Sequence, residues 1–571
     1  MDSFIAYAVF GILTTVVNIV SYHISYNLLS IPNVPSTILA WTLAVIFAFI
    51  TNKLWVFDSP SFDQRTLRHE IHTFLGARVS TGILDVLIMY VAVNIMTLPS
   101  LFWKCISNVI VIVLNYVASK LIIFTKTGDK IMKHFFYPSL HDDAGAYYPG
   151  FFVITLNQQF DGSINPANFT EEQFATFAHE YTHYLQDIST TRGIYTFTHF
   201  SKLLQLNFHI IATMPDNVVQ LPLKPEELKI DELNLEESYI EDLQREIELY
   251  KFYEGSELYG KRIHHVNCIK REPEDCFEYV TEEMYNINIY YDDGDIPFVL
   301  GQIAIAESMA YTVESEVFNP KKRTKEFPYN ACEMICKKEC PQLLASKAVF
   351  VAAMELSLMH YHSGDMFWHL VTDIRDNNLY FNSVSEFEEY FNKRTYFLYE
   401  DMLKTYKEAM ECIDFLYPDS NPIAKELFRN ARNFEQDKLR RGTCSRINNV
   451  HTGNLFIAKM LESENPRQLF IKYINYFGLP VTCDSTYGMY GTKIDGDITA
   501  LLAPLALYDM FEGNSNECSL YPYCKASNMA QCNKDECNRH PWTQADKTET
   551  CILGAYWHMY SLTGKSIIRK A

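Results

Sequence analysis

Five consecutive residues, His179-Glu180-Tyr181-Thr182-His183, have the types and spacing that a metal-dependent hydrolytic site requires. On an α-helix, residues four apart lie on the same face, so the two imidazoles can bind one Zn²⁺ together. Glu180 lies between them and can accept a proton from a water molecule at that metal. We therefore predict a zinc site with His179 and His183 as ligands and Glu180 as the catalytic base.

A third protein ligand is needed so that one coordination position remains open for water. No histidine follows closely, because the residues after His183 run Tyr-Leu-Gln-Asp-Ile-Ser-Thr-Thr-Arg-Gly. The best candidate is Glu307, a single charge in the apolar stretch Ile-Ala-Ile-Ala-Glu-Ser-Met-Ala-Tyr, because a carboxylate buried there needs a partner. Glu314 and Glu316 are the alternatives, and we expect both on the solvated side of their helix.

Local signals place these residues on regular elements. Residues 150–156, Gly-Phe-Phe-Val-Ile-Thr-Leu, predict a buried strand with which an extended peptide can pair. Thr170 and Gln173 have the spacing of a capping box, which predicts a helix from residue 171 to about residue 189. The motif therefore lies on a helix that follows a strand, as in metallopeptidase sites.

The motif at 179–183 and the segment Glu307-Ser-Met-Ala together resemble the gluzincin metallopeptidases, whose second helix carries a glutamate ligand ahead of small residues. The resemblance implies a soluble α+β, mostly helical, zincin-like domain that hydrolyses a peptide or protein with Zn²⁺ as cofactor. Glu307 follows His183 by 124 residues, so we expect a charged helical insertion at about 221–262. Tyr311 stands where some gluzincins have an aspartate that supports a ligand histidine.

Whole-chain averages are those of an ordinary soluble protein: 571 residues, 48% hydrophobic, 49 Lys and Arg against 69 Asp and Glu, and a net charge of −20. This acidity argues against a general nucleic-acid binder, which needs a basic face for phosphates. The apolar residues, however, are concentrated in the first quarter. We expect two domains, at 1–126 and 137–571, with a short basic linker at 127–136. The sequence leaves open whether they are a natural fusion or an erroneous join of two gene sequences.

The first domain has four long apolar stretches, each approaching the ~20 residues that cross a bilayer. They occupy residues 5–28, 36–51, 74–96 and 101–123. Lysines and arginines follow the second and fourth stretches, whereas the other two loops contain none. Because positively charged loops stay in the cytoplasm, we expect a multi-pass membrane protein with four transmembrane helices and both termini cytoplasmic, in the plasma membrane if the source is bacterial.

The four stretches form a two-span unit used twice. Lys53-Leu-Trp-Val-Phe ends the second stretch, and Lys120-Leu-Ile-Ile-Phe ends the fourth stretch 67 residues later. The same offset pairs Asn18 with Asp85. Membrane carriers are commonly built from such repeats around a shared midplane, so Asn18 and Asp85 are candidates for a polar transport path. Alternatively, Asn18 and Asp85 form hydrogen bonds that only hold the helices together. Lys53 and Lys120 can contact lipid phosphates at the cytoplasmic surface, or they can merely anchor the helices there.

Residues 4–126 resemble the GtrA-like membrane proteins, most specifically in segments 52–57 and 115–124, and also in Gly11 and Asn18. The resemblance implies a four-helix protein of cell-surface polysaccharide synthesis that moves, or helps to move, polyprenyl-phosphate-linked sugars. Its expected partners are the membrane lipid bilayer and a lipid-linked sugar, and no nucleic acid.

Cysteines cluster in a region at about 518–551. Cys518, Cys524, Cys532 and Cys537 are dense enough for a structural metal site, although the region lacks paired Cys-x-x-Cys motifs. In the reducing cytoplasm, ordinary thiols are the alternative, and on the opposite side of the membrane the same four would be natural disulfide partners.

Together these patterns predict a membrane protein of polysaccharide synthesis that carries a cytoplasmic zinc-dependent peptidase domain. Two alternatives fit the same residues. In the first, the membrane part only tethers a metallopeptidase. In the second, a transporter carries a zinc-binding domain without catalysis. The alternatives differ in whether Glu180 or Asp85 is essential to activity.

Overall fold

The structure is a computed structural model that divides the chain into two compact units, Met1–Lys130 and Ile131–Ala571. It describes residues 13–14, 16–17, 20–21, 23–25, 39, 42–43, 47–48, 51, 145–156, 169–225, 228, 237–256, 258, 261–273, 284–291, 297–318, 326–394, 398–419, 422–447, 453–484, 489–490, 498–512, 518–526, 535–544 and 551–569.

The described positions of the first unit are helical, and most of their large apolar side chains are exposed. Several large apolar residues are 41–48% exposed, namely Leu13, Val16, Val20, Ile24, Leu39 and Leu43. Ser25 and Thr51, in contrast, are each 1% exposed, and their hydroxyls donate to the carbonyls of Ser21 and Phe47 four residues earlier. Among the residues described, no helix is both long and apolar enough to cross a membrane. The predicted four-helix arrangement lies mostly outside them.

The second unit is mostly helical. Its helices are α1 (Glu171–Ser189), α2 (Thr191–Thr213), α3 (Glu237–Glu254), α4 (Gln302–Phe318), α5 (Ala331–Glu339), α6 (Lys347–Leu358), α7 (Ser363–Asp376), α8 (Val384–Asn392), α9 (Leu398–Leu416), α10 (Pro422–Arg446), α11 (Phe456–Leu461), α12 (Pro466–Phe477), α13 (Thr499–Phe511), α14 (Tyr521–Ala526), α15 (Asp535–Arg539) and α16 (Ile552–Met559). Its strands are β1 (Gly145–Tyr148), β2 (Val153–Leu156), β3 (Val218–Leu221), β4 (Val266–Pro273), β5 (Tyr285–Tyr291), β6 (Phe298–Val299), β7 (Val481–Asp484), β8 (Met489–Tyr490) and β9 (Ser566–Arg569).

The strands form three small sheets. The first has the order β1-β2-β7-β8, in which β2 is antiparallel to β1 and parallel to β7. The second pairs β3 with β9 in parallel, and the third has the order β4-β5-β6 with antiparallel neighbours. Because β2 and β7 each have a neighbour on both sides, β1 and β8 are the two edge strands of the first sheet among the described strands.

Helix α1 is the centre of the second unit. The predicted capping box is confirmed: Thr170 accepts from the backbone of Gln173, whose side chain accepts from the backbone of Thr170. From Phe174 onward every residue of α1 is buried, because α2, α4 and α10 surround it. The approach to α10 is very close, since a Cβ at Gly442 would lie 1.9 Å from the carbonyl oxygen of Ile188. The helix with the metal motif is therefore fixed on all sides.

The predicted strand at 150–156 is shorter in the structure than expected. The strand β2 begins only at Val153, because Gly150 and Phe152 have positive φ angles and form the turn from β1. The peptide-pairing role expected for this strand is therefore wrong for β2, whose two edges are both used. Within the expected insertion at 221–262, residues 237–254 are helical as predicted, and Leu243 and Phe252 pack in the core.

Candidate metal centre

Two neighbouring helices supply the three side chains of the cluster. His179 and His183 lie one turn apart on α1, and Glu307 faces them from the middle of α4. Helix α4 begins directly after β6, and its first turns are apolar and small, which lets it pack closely against α1. The helices are also tied by Gln186, whose amide donates to the carbonyl of Ala306 at 3.0 Å.

The three ligand atoms converge on one point. Oε2 of Glu307 lies 3.1 Å from Nε2 of His179 and 3.3 Å from Nε2 of His183, and the two Nε2 atoms are 3.2 Å apart. All three side chains are buried, with exposures of 0–4%. Within the described part of the chain, this is the only group of three or more His, Cys, Asp or Glu side chains with ligand atoms mutually within 4.8 Å.

These distances fit a tetrahedral zinc ion. Ligand atoms about 2.0–2.1 Å from a zinc ion at tetrahedral angles are about 3.3 Å from one another. The three measured separations lie within about 0.2 Å of that value. In addition, Oε1 of Glu307 is buried and has no hydrogen-bond partner in the part of the chain that the structure describes, which is costly unless a ligand compensates it. The residues present therefore fit a metal ion.

A second layer of polar groups orients both imidazoles. Oε2 of Glu314 lies 3.2 Å from Nδ1 of His179, and Oε1 of Gln186 lies 2.9 Å from Nδ1 of His183. Because Oε1 of Gln186 is an acceptor, a neutral His183 carries its proton on Nδ1 and directs the lone pair of Nε2 into the cluster. The carboxylate of Glu314 close to Nδ1 favours the same tautomer of His179. The expectation that Glu314 is solvated is wrong, because it is 0% exposed, whereas Glu316 is exposed as expected.

The charges of the cluster are strongly coupled. Burial disfavours the imidazolium, but the carboxylates of Glu307 and Glu314 outweigh it and raise the pKa of His179 to about 10. Burial likewise opposes a positive charge on His183, yet Glu307 raises its pKa. Burial also opposes ionisation of Glu307, but the histidines lower its pKa to about 2. A divalent cation bound here replaces protons that these imidazoles otherwise hold.

Glu180, the predicted base, is 4% exposed and follows His179 directly. Its negative charge raises the pKa of both histidines, so its carboxylate lies within electrostatic reach of the cluster. The aromatic ring of Tyr329 packs edge-on against His179, and Tyr311 packs against Tyr329. Tyr311 therefore contributes to the wall of the site, and Glu314 supports the ligand histidine.

On the other side of the cluster, strand β1 lies along α1. The ring of Tyr147 stacks on His183 with centroids 6.3 Å apart, and its hydroxyl donates to Asp187 at 2.9 Å. Asp187 also accepts from the backbone N–H of Gly150 at 2.6 Å. Burial raises the pKa of Asp187 to about 7, although both hydrogen bonds oppose the rise. Strand β1 and its unpaired edge are therefore fixed next to the cluster.

The remaining predicted site residues are not brought to this cluster. Cys518, Cys524 and Cys537 form no group of potential metal ligands within the described residues, and Cys532 lies outside them. Asn18, Lys53, Asp85 and Lys120 also lie outside the described residues.

Sequence patterns missed Gln186 and Asp187, and they indicated Glu314 only as an alternative third ligand and not as a support for His179. A signal was present for two of them: Glu314 follows Glu307 by seven residues, which is two helical turns on the same face, and Gln186 follows His183 by three. No comparable signal connects Tyr147 to the cluster, because its contact depends on the turn that places β1 along α1.

The first 124 residues match known proteins. The family model of the GtrA/DPMS transmembrane domain matches residues 6–124. An uncharacterized membrane protein, YwcD, of Bacillus subtilis is 36% identical over 124 residues, which are 22% of this chain and 98% of YwcD. The cell wall teichoic acid glycosylation protein GtcA of Listeria monocytogenes is 36% identical over 126 residues, which are 22% of this chain and 86% of GtcA. The GtcA of Listeria innocua is 35% identical over 124 residues, which are likewise 22% of this chain and 86% of that protein.

The family match ends before the His/Glu cluster begins. No solved structure matches the chain. The predicted resemblance to a membrane family is therefore confirmed for the N-terminal segment, and through residues 6–124 the chain belongs to the GtrA/DPMS transmembrane-domain family.

Proposed function

We propose that the second unit is a zinc-dependent peptidase domain carried by a GtrA-like membrane domain. The observation that carries the peptidase half is the convergence of Nε2 of His179, Nε2 of His183 and Oε2 of Glu307 at 3.1–3.3 Å from one another. Two histidines and one carboxylate leave the fourth tetrahedral position for water or substrate, which is the donor set of catalytic and not of closed structural zinc sites.

The chemistry follows from the residues around the cluster. A zinc ion, when bound, would lower the pKa of a water molecule toward ~7 and polarise the carbonyl of the cleaved bond. Glu180 accepts the proton of the attacking water and delivers it to the leaving nitrogen. Glu314 and Gln186 hold the two imidazoles so that their Nε2 lone pairs stay directed at the same point. The whole cluster is buried, so these residues lie in surroundings that are largely closed to bulk solvent.

The unpaired edge of β1 offers a place for the substrate. An extended peptide can add to an exposed strand edge through main-chain hydrogen bonds. Strand β1 is fixed to α1 by Tyr147, whose ring stacks on His183. A peptide paired with β1 would therefore run past the cluster, so we assign the substrate-binding edge to β1.

For the membrane domain we propose a role with polyprenyl-phosphate-linked sugars, in a four-helix arrangement with cytoplasmic termini. The relatives from Listeria are named for teichoic acid glycosylation, a cell-surface process that such carriers supply. The outward apolar stripe Leu13, Val16, Val20 and Ile24 is the arrangement of a helix that faces lipid, because its small polar residue Ser25 is turned inward and bonds to its own backbone.

The peptidase half is tested on the full chain in detergent. We expect His183→Ala to remove one zinc per chain and all hydrolysis of an unstructured protein substrate, and Glu180→Gln to keep the zinc but lose hydrolysis. Glu316→Gln, an exposed glutamate of α4, is the matched control and should change neither. Zinc content that His183→Ala leaves unchanged would disprove the metal site, and bound zinc without any hydrolysis would favour a non-catalytic module.

The membrane half needs its own assay. Movement of a lipid-linked sugar across reconstituted vesicles is expected to depend on Asp85, so Asp85→Asn should abolish it. Equal rates in the native chain and Asp85→Asn, or no movement in either, would favour a membrane part that only tethers the peptidase.

A further inference from the structure

The second residue of α2, Arg192, has a guanidinium group that the protein leaves incompletely bonded. The side chain is 0% exposed, and its Nε donates to Oε1 of Gln302. The other two nitrogens, Nη1 and Nη2, are buried and have no hydrogen-bond partner among the described residues. Four N–H donors of a positive charge are therefore shut away from solvent without an acceptor.

A second buried arginine shows how the fold normally compensates such a group. Arg446 is 1% exposed, but it forms an ion pair with Glu355 and donates to the carbonyl of Asn454 and to both oxygens of Ser189. Within the described residues no carboxylate forms an ion pair with Arg192, although the carboxyl group of Asp187 lies within its electrostatic reach. Buried N–H donors of a charged group without an acceptor are costly, so the difference indicates that Nη1 and Nη2 of Arg192 are matched to a group supplied from outside.

The surroundings of Arg192 suit a bound anion. The rings of Tyr195, Tyr250 and Tyr253 lie 5.1, 5.3 and 5.5 Å from the guanidinium carbon. These contacts stabilise the charge but do not use the N–H groups as a carboxylate does. All three tyrosines are partly exposed, so the guanidinium lies beneath side chains that reach the surface.

Arg192 is connected to the metal cluster through two elements. Its partner Gln302 is the first residue of α4, and Glu307 follows five residues later, about 7.5 Å along the helix axis. On the α1 side, a Cβ at the neighbouring Gly193 would lie 2.3 Å from Cα of Asp187, one turn after His183. An extended chain advances about 3.3–3.6 Å per residue, so the rise along α4 from Gln302 to Glu307 corresponds to about two residues of an extended peptide.

We propose that Arg192 binds a carboxylate of the peptide substrate about two residues beyond the cleaved bond. The proposal rests on the proposed peptidase function and names its substrate class: peptides cut close to a free C-terminus. The planar guanidinium binds a carboxylate through two parallel hydrogen bonds, which Nη1 and Nη2 leave available. An acidic side chain at the same distance has the same chemistry, and the test separates these two sources.

The test compares three peptides on the zinc-loaded full chain in detergent. The first is acetyl-tetra-alanine with a free C-terminal carboxylate, and the second is its C-terminal amide, which has no carboxylate. The third is an amide whose last residue is aspartate, so that its carboxylate is on a side chain. We expect kcat/KM for the free acid to exceed that for the amide at least about tenfold. In Arg192→Met the ratio should fall to about one, and Arg192→Lys should keep part of it. The aspartyl amide is expected to behave as the plain amide; equal use of the aspartyl amide and the free acid would mean that an acidic side chain is the ligand.

A binding measurement keeps the outcome independent of turnover. In the Glu180→Gln chain, the free acid should raise the melting temperature and the plain amide should not, and this difference should vanish with Arg192→Met. Without peptide, Arg192→Met should melt no lower than the native chain, because it removes an uncompensated charge. A native chain that treats acid and amide alike, or an Arg192→Met chain that melts several degrees lower, would overturn the proposal. Failure of the proposed peptidase function is recognised separately, because the His183→Ala chain would then keep both its zinc and its hydrolytic activity.

Discussion

Nδ1 of His179 lies 3.2 Å from Oε2 of Glu314, and both side chains are closed to solvent. Helix α4 thus contacts one imidazole from two sides, through Glu307 at Nε2 and through Glu314, two turns later, at Nδ1. A carboxylate close to Nδ1 favours the tautomer with the proton on Nδ1, and it makes the lone pair of Nε2 a better metal ligand. The ligand and its support are therefore parts of one rigid element.

We predict that Glu314→Gln weakens zinc binding about 10–100-fold while Glu307 remains in place. The amide keeps the shape of the side chain but removes the negative charge beside Nδ1. Competition with a zinc-sensitive chelating dye measures the affinity. Glu316→Gln, two residues further along α4 but exposed, is the control, and equal affinity of the two variants would show that Glu314 has no part in holding the metal.

A second prediction concerns the close approach of α1 and α10. A Cβ at Gly442 would lie 1.9 Å from the carbonyl oxygen of Ile188, so Gly442→Ala must separate the helices. Overpacking of this kind costs about 1–3 kcal/mol. We expect the urea midpoint of the second unit to fall, and zinc affinity with it, because α1 carries both histidines.

The exposed Cys444, two residues away on α10, provides the control for Gly442. Cys444→Ala should leave the urea midpoint within the error of the measurement. A Gly442→Ala variant as stable as Cys444→Ala would mean that α1 can shift without loss, contrary to its burial on all sides.

Much of the site could be predicted because its signals are local. The spacing of His179 and His183, and the capping box at Thr170, each depend on fewer than two turns of one helix. Glu307 could be found because a lone charge in an apolar helix needs a partner. The family of the first unit could likewise be identified from its span ends, since segments 52–57 and 115–124 carry the most specific part of the resemblance.

The rest depends on contacts between distant parts of the chain. Glu314 was expected on a solvated face because most helices have one, but α4 is surrounded and buries both Glu307 and Glu314. Which strand is the sheet edge could not be read from residues 150–156, because β7, more than 300 residues later, covers β2. Nothing in the sequence near Arg192 indicates that its charge lacks a carboxylate.

The ion pair of Arg446 and Glu355 gives a third prediction. Glu355 also accepts the backbone N–H groups of Ile457 and Ala458 at the start of α11, so the pair joins α6, α10 and α11. Loss of one partner leaves a buried charge uncompensated, which costs about 3–5 kcal/mol. We expect Arg446→Met to lower the urea midpoint of the second unit accordingly.

Arg432, also on α10, is the comparison for Arg446. It pairs with Asp414, which is 59% exposed, and exposed pairs contribute about 0–1 kcal/mol. Arg432→Met should therefore be nearly neutral. Similar losses in the two variants would show that the pair at Arg446 contributes through side-chain packing alone.

The pH dependence of stability gives the fourth prediction, through Glu435 on α10. Burial raises the pKa of this carboxyl to about 8, although the hydroxyl of Tyr417 donates to its Oε1 at 2.6 Å and opposes the rise. Its Oε2 is buried and has no hydrogen-bond partner within the described ranges. The folded chain therefore keeps a proton that the unfolded chain releases near pH 4.5. Stability from this group is complete below pH 4.5 and is lost as the pH rises to about 8.

Glu435→Gln removes the ionisation but keeps an oxygen for Tyr417, so it should abolish this part of the pH dependence. At pH 7 the cost of keeping Glu435 neutral is of order 3 kcal/mol, and the variant should be more stable than the native chain by up to that amount. At pH 5 the two should differ little. Urea midpoints at pH 5, 6, 7 and 8 decide the point, with Glu426→Gln, an exposed glutamate of α10, as the control. A native chain and a Glu435→Gln chain that lose stability in parallel over this range would place the carboxyl in contact with solvent, because only a solvated Glu435 ionises at the same pH in the folded and unfolded states.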